Sequence, residues 1–219
     1  QNYIADTAVK NGTFSLIIPA NAKTGMYRLV YAVPQEEFYF DFIYNGKEDI
    51  VLSFDSQKGL SFISSNENLL YTRYFNEIHG LEKQIAQFYS GKKKDRSLLL
   101  NLNKKLAAVQ KSFETQSQGM LSGHFISANR PYISSGYEDV ETYIKNKREH
   151  YFNDLDFNDE VLLGSDFLTD KVVNYVFTAL PQHQIPNKEK EPVIIVNVKE
   201  LFIVITSNPW PQKPINPNS

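Results

Sequence analysis

Hydrophobic and polar positions change their period near residue 65. Before it, apolar side chains alternate one-in, one-out. "GMYRLVYAV" (25–33) sets Tyr27, Leu29 and Tyr31 against Met26, Arg28, Val30 and Ala32, and "EFYFDFIYNG" (37–46) sets Phe38, Phe40, Phe42 and Tyr44 against Tyr39, Asp41 and Ile43. Such alternation places each set on one face of a strand. "NYIADTAVKNGTFSLIIP" carries Asn11-Gly12 between two apolar runs, a dipeptide that tolerates positive φ at both centres of a tight type I′ turn and so predicts a hairpin. Asn45-Gly46 leads into "DIVLSF" (49–54), and "GLSFIS" (59–64) adds a short edge strand. The expectation for residues 3–64 is an antiparallel meander of five or six strands.

After residue 65 the spacing becomes helical. Leu70, Tyr74, Ile78, Leu81, Ile85 and Phe88 recur in steps of three and four, with Ser65 or Asn66 placed to cap the start. Gly91 and "KKKDR" (92–96) make a turn, and Leu99, Leu102, Leu106, Val109 and Phe113 continue the stripe on a second helix. Two long stripes joined by a short loop predict an antiparallel helical hairpin over residues 66–118. Shorter helices are expected at 124–131, stopped by Pro131, at 136–155, and at 165–180, where Ser165 or Asp166 caps and Pro181 ends the run. Residues 189–207 are ambiguous: "VIIVNV" reads as strand and "VKELFIVI" as helix. The predicted class is α+β: a small antiparallel β-sheet or sandwich domain over 1–64, N-terminally incomplete, then a helical domain over 65–207 with the long hairpin. A Pro-rich extended tail follows over 208–219.

Composition narrows the chemistry. The 219 residues carry a net charge of −2, which gives no global attraction to nucleic acid or an anionic membrane. The chain has no cysteine, which excludes disulfides, thiolate metal sites and cysteine-based catalysis in it. The longest apolar run, "VIIVNVKELFIVI" (193–205), is too short for a membrane span. His79, His124, His150 and His183 include no pair at the four-residue spacing of a helical zinc site. Gln1 is no start methionine, and nothing near it reads as an export signal; a removed leader or a fragment accounts for both.

Several stretches invite a functional reading and have a plainer one. Phe38, Phe40 and Phe42 on one face would bury roughly 150–250 Å² each, several kcal/mol at about 25 cal/mol per Å²; core packing is expected, with a ligand groove as the competing reading. "DLDFND" (154–159) begins like a calcium loop with Asp154, Asp156 and Asn158, but has Asp159 where glycine is needed and Ser165 where glutamate is needed. An acidic connection is the plainer account. "KKKDR" is expected to be a solvated turn, with an anionic partner as the alternative. His79, near Glu77 and Glu82, is expected at the surface, and His124 near the end of the second helix. No phosphate loop, dinucleotide fingerprint or nucleophile elbow is present. No catalytic, cofactor-binding or metal-binding residue is assigned.

The order "NGTFSLIIP", "GMYRLVY", "FDFIYNGKEDIVLSF", "SSNENLLYTRYFNEI" and "SDFLTDKVVNYVF" resembles the N-terminal region of Bacteroidetes-type envelope proteins, over roughly residues 3–180. In those proteins a small β domain of unknown function and a helical segment precede a thioredoxin-like domain of the TlpA or AhpC/TSA kind. The resemblance implies a periplasmic or cell-envelope location and a non-catalytic accessory role, docking an envelope protein or a thioredoxin-like domain. The family's CxxC lies in a domain this chain lacks, and one or two strands usual before "NYIADTAVKNG" are missing, so no site residue is carried over and the chain reads as truncated at both ends. The alternative is a periplasmic domain that binds glycans or peptides in a cleft lined by Tyr27, Tyr39 and Tyr44.

Overall fold

The computed structural model describes residues 3–55, 57–92, 94–179, 194–198 and 201–205. The long hairpin forms as the stripes require. Helix α1 (Asn66–Ser90) and helix α2 (Arg96–Gln116) pack Leu70, Tyr74, Ile78, Ile85 and Phe88 against Leu99, Leu102, Leu106 and Phe113. They run antiparallel: Arg73, early in α1, donates to Gln116 Oε1 at the end of α2 at 2.7 Å. The turn between them is built from charged side chains. Lys94 Nζ donates to the Phe88 and Tyr89 carbonyls at 2.9 and 2.5 Å, satisfying the end of α1, and Asp95 caps α2 through the Ser97 and Leu98 N–H groups.

Helix α3 (Leu121–Ala128) lies across this pair. It buries Ile126 with the hairpin stripe and Phe125 with a second cluster. A polar chain threads the contact: the Tyr74 hydroxyl is 2.8 Å from Gln110 Oε1, and Gln110 Nε2 donates to the Ile126 carbonyl at 3.0 Å. Helices α4 (Val140–Glu149), α5 (Glu160–Leu163) and α6 (Phe167–Asn174) follow, and α6 continues as a π-helical turn, Tyr175–Ala179.

The sheet departs from a meander. Among the described residues, strand β1 (Gly25–Val30) pairs only with β2 (Tyr39–Tyr44), and β3 (Val51–Asp55) only with β4 (Gly59–Ser64), each antiparallel. The predicted Asn11-Gly12 turn is present, with positive φ at both residues, but a single bridge, Lys10 to Thr13, is all that it closes. The two hairpins do not join because the outer edge of β2 is already occupied. Asn68, in the first turn of α1, accepts from the Ile43 N–H at 2.7 Å and donates to the Ile43 carbonyl at 2.8 Å. Its carboxamide takes the place of a neighbouring strand's peptide group, and the ladder ends there.

Other predicted boundaries shift. The helix expected over 136–155 is only α4, capped by Asp139 through the Thr142 N–H at 2.9 Å. The residues after it are turns that let Leu155 and Phe157 reach the second cluster. The helix expected over 165–180 begins two residues later and changes to π geometry at Tyr175, and the short α5 before it was not anticipated. His124 belongs to α3, not to the end of the second helix. Of the ambiguous 189–207 stretch, Ile194–Val198 and Leu201–Ile205 form β5 and β6 of an antiparallel hairpin; the Pro-rich tail lies outside the described residues.

The second cluster binds sheet to helices. Ile43 is 1% exposed and packs with Phe125, Ala128, Leu162 and Leu168. Thus the Tyr39-Asp41-Ile43 face meets the helices. The opposite face holds the phenylalanines and meets the second hairpin: Phe54 of β3 lies 4.5 Å from Tyr31 and 5.8 Å from Phe40, ring centre to ring centre. Phe40 and Phe42 are buried and Phe38 half-buried; Phe40 meets Phe54 of the second hairpin, while Phe42 and Phe38 rest on Tyr27 and Tyr31 of their own.

Replacing Asn68 leaves the Ile43 N–H and carbonyl without partners in a buried place. Asn68→Ala is expected to lower stability by about 2–4 kcal/mol in urea unfolding, and Asn68→Asp by at least as much at pH 7, because it sets a buried, unpaired carboxylate oxygen against the Ile43 carbonyl.

Candidate functional site

The start of α1 concentrates buried polar groups: Ser65, Glu67 and Asn68 are all 3% exposed or less. Ser65 is the N-cap, and its hydroxyl is fully used. It accepts from the Asn68 N–H at 3.2 Å and from Asn68 Nδ2 at 2.8 Å, and donates to Glu48 Oε1 at 2.9 Å. Glu48, from the loop between β2 and β3, also accepts from the Asn66 N–H at 2.9 Å. Desolvation opposes its charge, but the Asn66 N–H, the Ser65 hydroxyl and the Glu67 N–H outweigh it and hold its pKa below the ordinary carboxylate value. Glu67 caps a different helix: its two oxygens accept from the Leu121 and Ser122 N–H groups at 3.0 and 2.8 Å, supplying α3 with the cap its own Met120 cannot. This cluster is architectural, since every one of these groups faces another element of the chain. Of the two expected caps, Ser65 and Asn66, Ser65 holds the position; the parts played by Glu48, Glu67 and Asn68 join distant segments and leave no local pattern in the sequence.

A second polar cluster lies at the surface. An open groove of about 370 Å³ runs between the α2–α3 corner and the 154–159 loop, lined among others by Glu114, Ser117, Gly123, His124, Asp154 and Asp159. His124 Nδ1 is 2.7 Å from Asp159 Oδ2, and Asp159 Oδ1 accepts from Val161 N–H at 2.9 Å as the cap of α5. Burial works against the Asp159 charge, but His124 and the Leu162 and Val161 N–H groups more than compensate and lower its pKa. Arg130 bridges the other acids, reaching Glu114 and Asp154 at 2.6 Å each. Asp156 accepts from the Asn158 N–H at 2.9 Å, and the Ser165 hydroxyl donates to the Leu162 carbonyl at 2.7 Å. The calcium-like "DLDFND" is therefore an arginine-pinned, helix-capping connection. Among the described residues no three His, Asp or Glu are placed to hold a metal ion, and no hydroxyl is hydrogen-bonded to His124.

The remaining sequence candidates separate. Lys94, Asp95 and Arg96 of the basic turn serve helix ends or stack, Arg96 lying 4.4 Å over the Tyr137 ring, while Lys93 lies outside the described residues. His79 is exposed. Tyr27, Tyr39 and Tyr44 do not line one cleft. Tyr27 and Tyr44 stand on the phenylalanine face, their rings 5.7 Å apart, and the Tyr27 hydroxyl donates to the Lys23 carbonyl. Tyr39 is on the opposite face under the Arg28 guanidinium at 3.6 Å. Arg28, which sequence reading left as a polar alternate, chelates Asp41 at 2.8 Å through two nitrogens and reaches Asp166 of the α6 cap at 2.8 Å. The hydrogen bonds that it donates to Asp41 lead the causes that raise its pKa, so it stays charged at any physiological pH.

What the polar clusters leave open is apolar surface on the two hairpins. Tyr31 is 44% exposed and Phe54 39%, their rings 4.5 Å apart. Exposed aromatic rings in contact across two hairpins are a usual mark of a contact surface.

The lowered pKa of Asp159 carries a sign. A carboxylate depressed by folding adds stability above its unfolded pKa and loses it as pH falls through the folded value. Asp159→Ala is expected to cost about 1 kcal/mol at neutral pH, with the gap from wild type closing in urea titrations as pH falls from about 4 toward 2. No family model, curated protein or solved structure matches the chain.

Proposed function

We propose that the chain is a non-catalytic interaction module of the cell envelope, and that its two-hairpin face docks a thioredoxin-like domain of the TlpA or AhpC/TSA kind. The observation that carries this is the apolar ring surface around Tyr31 and Phe54, exposed on a unit whose inner face is already satisfied by the helices. Two further features agree with it. The ionisable groups of the surface groove are tied to Arg130, to helix caps and to one another, which leaves no poised nucleophile–base pair. The resemblance of the sequence segments to those of the envelope proteins named above supports the same reading. A periplasmic location and an accessory role belong to the same reading.

The direct test is a titration of this chain with a purified TlpA-type thioredoxin domain, followed by calorimetry. Binding in the micromolar range, roughly −8 kcal/mol, is expected, weakened about tenfold or more in Tyr31→Ser/Phe54→Ser, whose fold is checked by circular dichroism. Absence of binding at about 100 µM, near −5.5 kcal/mol, or binding that ignores the double substitution, overturns the proposal.

A further inference from the structure

Lys171 differs from the other lysines in its surroundings. It lies on α6, half-buried, with Nζ 5.2 Å from the centre of the Tyr151 ring and 5.7 Å from that of Phe167. The carboxylate that bears on it, Glu82 of α1, is already engaged by another amine: Lys147 of α4 donates to Glu82 Oε1 at 2.9 Å. Among the described residues no oxygen is hydrogen-bonded to the Lys171 amine. The groups facing it are thus two rings, one shared carboxylate and a second ammonium, with the Tyr175 ring tilted against Tyr151 at 5.2 Å.

Each of these acts on the charge in a definable sense. Burial disfavours the ammonium most, Glu82 favours it, and the neighbouring Lys147 disfavours it; together they bring the Lys171 pKa down to about 8. The ring faces attract a cation and limit how far the balance tips. An amine desolvated by apolar walls beside another cation is the arrangement that makes a lysine nucleophilic near neutral pH.

We propose that Lys171 is a reactive amine that takes small aldehydes as an imine, its nitrogen attacking the carbonyl against the Tyr151 and Phe167 rings. The neutral nitrogen gives its lone pair to the carbonyl carbon, and the C=O π pair moves to oxygen, which takes a proton. The carbinolamine then loses water to leave the C=N bond, so amine plus aldehyde yields imine plus water with no oxidant or reductant. The site is independent of the docking surface, which lies on the hairpins.

The test uses the intact chain, limiting formaldehyde as the probe aldehyde, and cyanoborohydride to trap the imine, with peptide mass mapping. At pH 7.5 about a quarter of an amine of pKa near 8 is neutral, against roughly 0.1% of an ordinary lysine. Its lower basicity weakens attack by roughly 10–20-fold, so Lys171 is expected to label roughly tenfold faster than the exposed Lys104 and Lys105. At pH 10.5 the advantage is expected to vanish. Lys147→Met removes the second cation and frees Glu82, both of which favour the Lys171 ammonium, so it is expected to cut the pH 7.5 advantage several-fold. Labelling of Lys171 in wild type no faster than Lys104 and Lys105 at pH 7.5, or an advantage that persists unchanged at pH 10.5, overturns the assignment.

Discussion

One carboxamide joins the two halves of this protein. Asn68 uses its oxygen and its NH₂ group to complete the open edge of β2 at Ile43, and the Ile43 side chain then enters the cluster formed by Phe125, Leu162 and Leu168. A buried peptide edge with no partner is costly, so the site admits one arrangement of strand on helix. Other contacts share the same placement: Phe125 of α3, Leu162 of α5 and Leu168 of α6 around Ile43, and Arg28 carried to Asp166. A short two-stranded sheet is marginal by itself; here its second neighbour is a helix.

The same economy appears in the acids. Glu48 caps α1 from a strand loop, Glu67 caps α3 from α1, and Asp159 caps α5 while holding His124. Each carboxylate meets N–H groups that a helix start leaves unsatisfied, and each joins elements distant in the chain. Charge that resembles chemistry is consumed by architecture, which directs attention to the apolar face of the hairpins and to the half-buried amine of Lys171 between its two rings.

The aromatic run at residues 38–42 shows how a correct local reading can miss its meaning. Period-two spacing rightly grouped Phe38, Phe40 and Phe42 on one face. Yet the deepest side chain of that strand is Ile43, on the other face, because that side meets helices while the rings meet only a hairpin. Tyr27, Tyr39 and Tyr44 fail as a common lining for the same reason: a strand's two faces go to different neighbours.

The helical hairpin was legible because its information is local. A stripe repeating every three or four residues specifies both the helix and the face to be buried, and Leu70 through Phe88 and Leu99 through Phe113 needed only each other. The strands and the Asn11-Gly12 turn were legible for the same reason, as segments. Their pairing was not, since alternation says which residues share a face and nothing about which edge meets which. That choice fell to Asn68, a residue whose own segment reads as the first turn of a helix and whose partner lies 25 positions away. The caps from Glu48 and Glu67 and the clasp of Arg28 on Asp166 were likewise invisible along the chain. Hydrogen bonds and ion pairs between distant elements leave no period in the sequence, and only folding brings their two ends within reach.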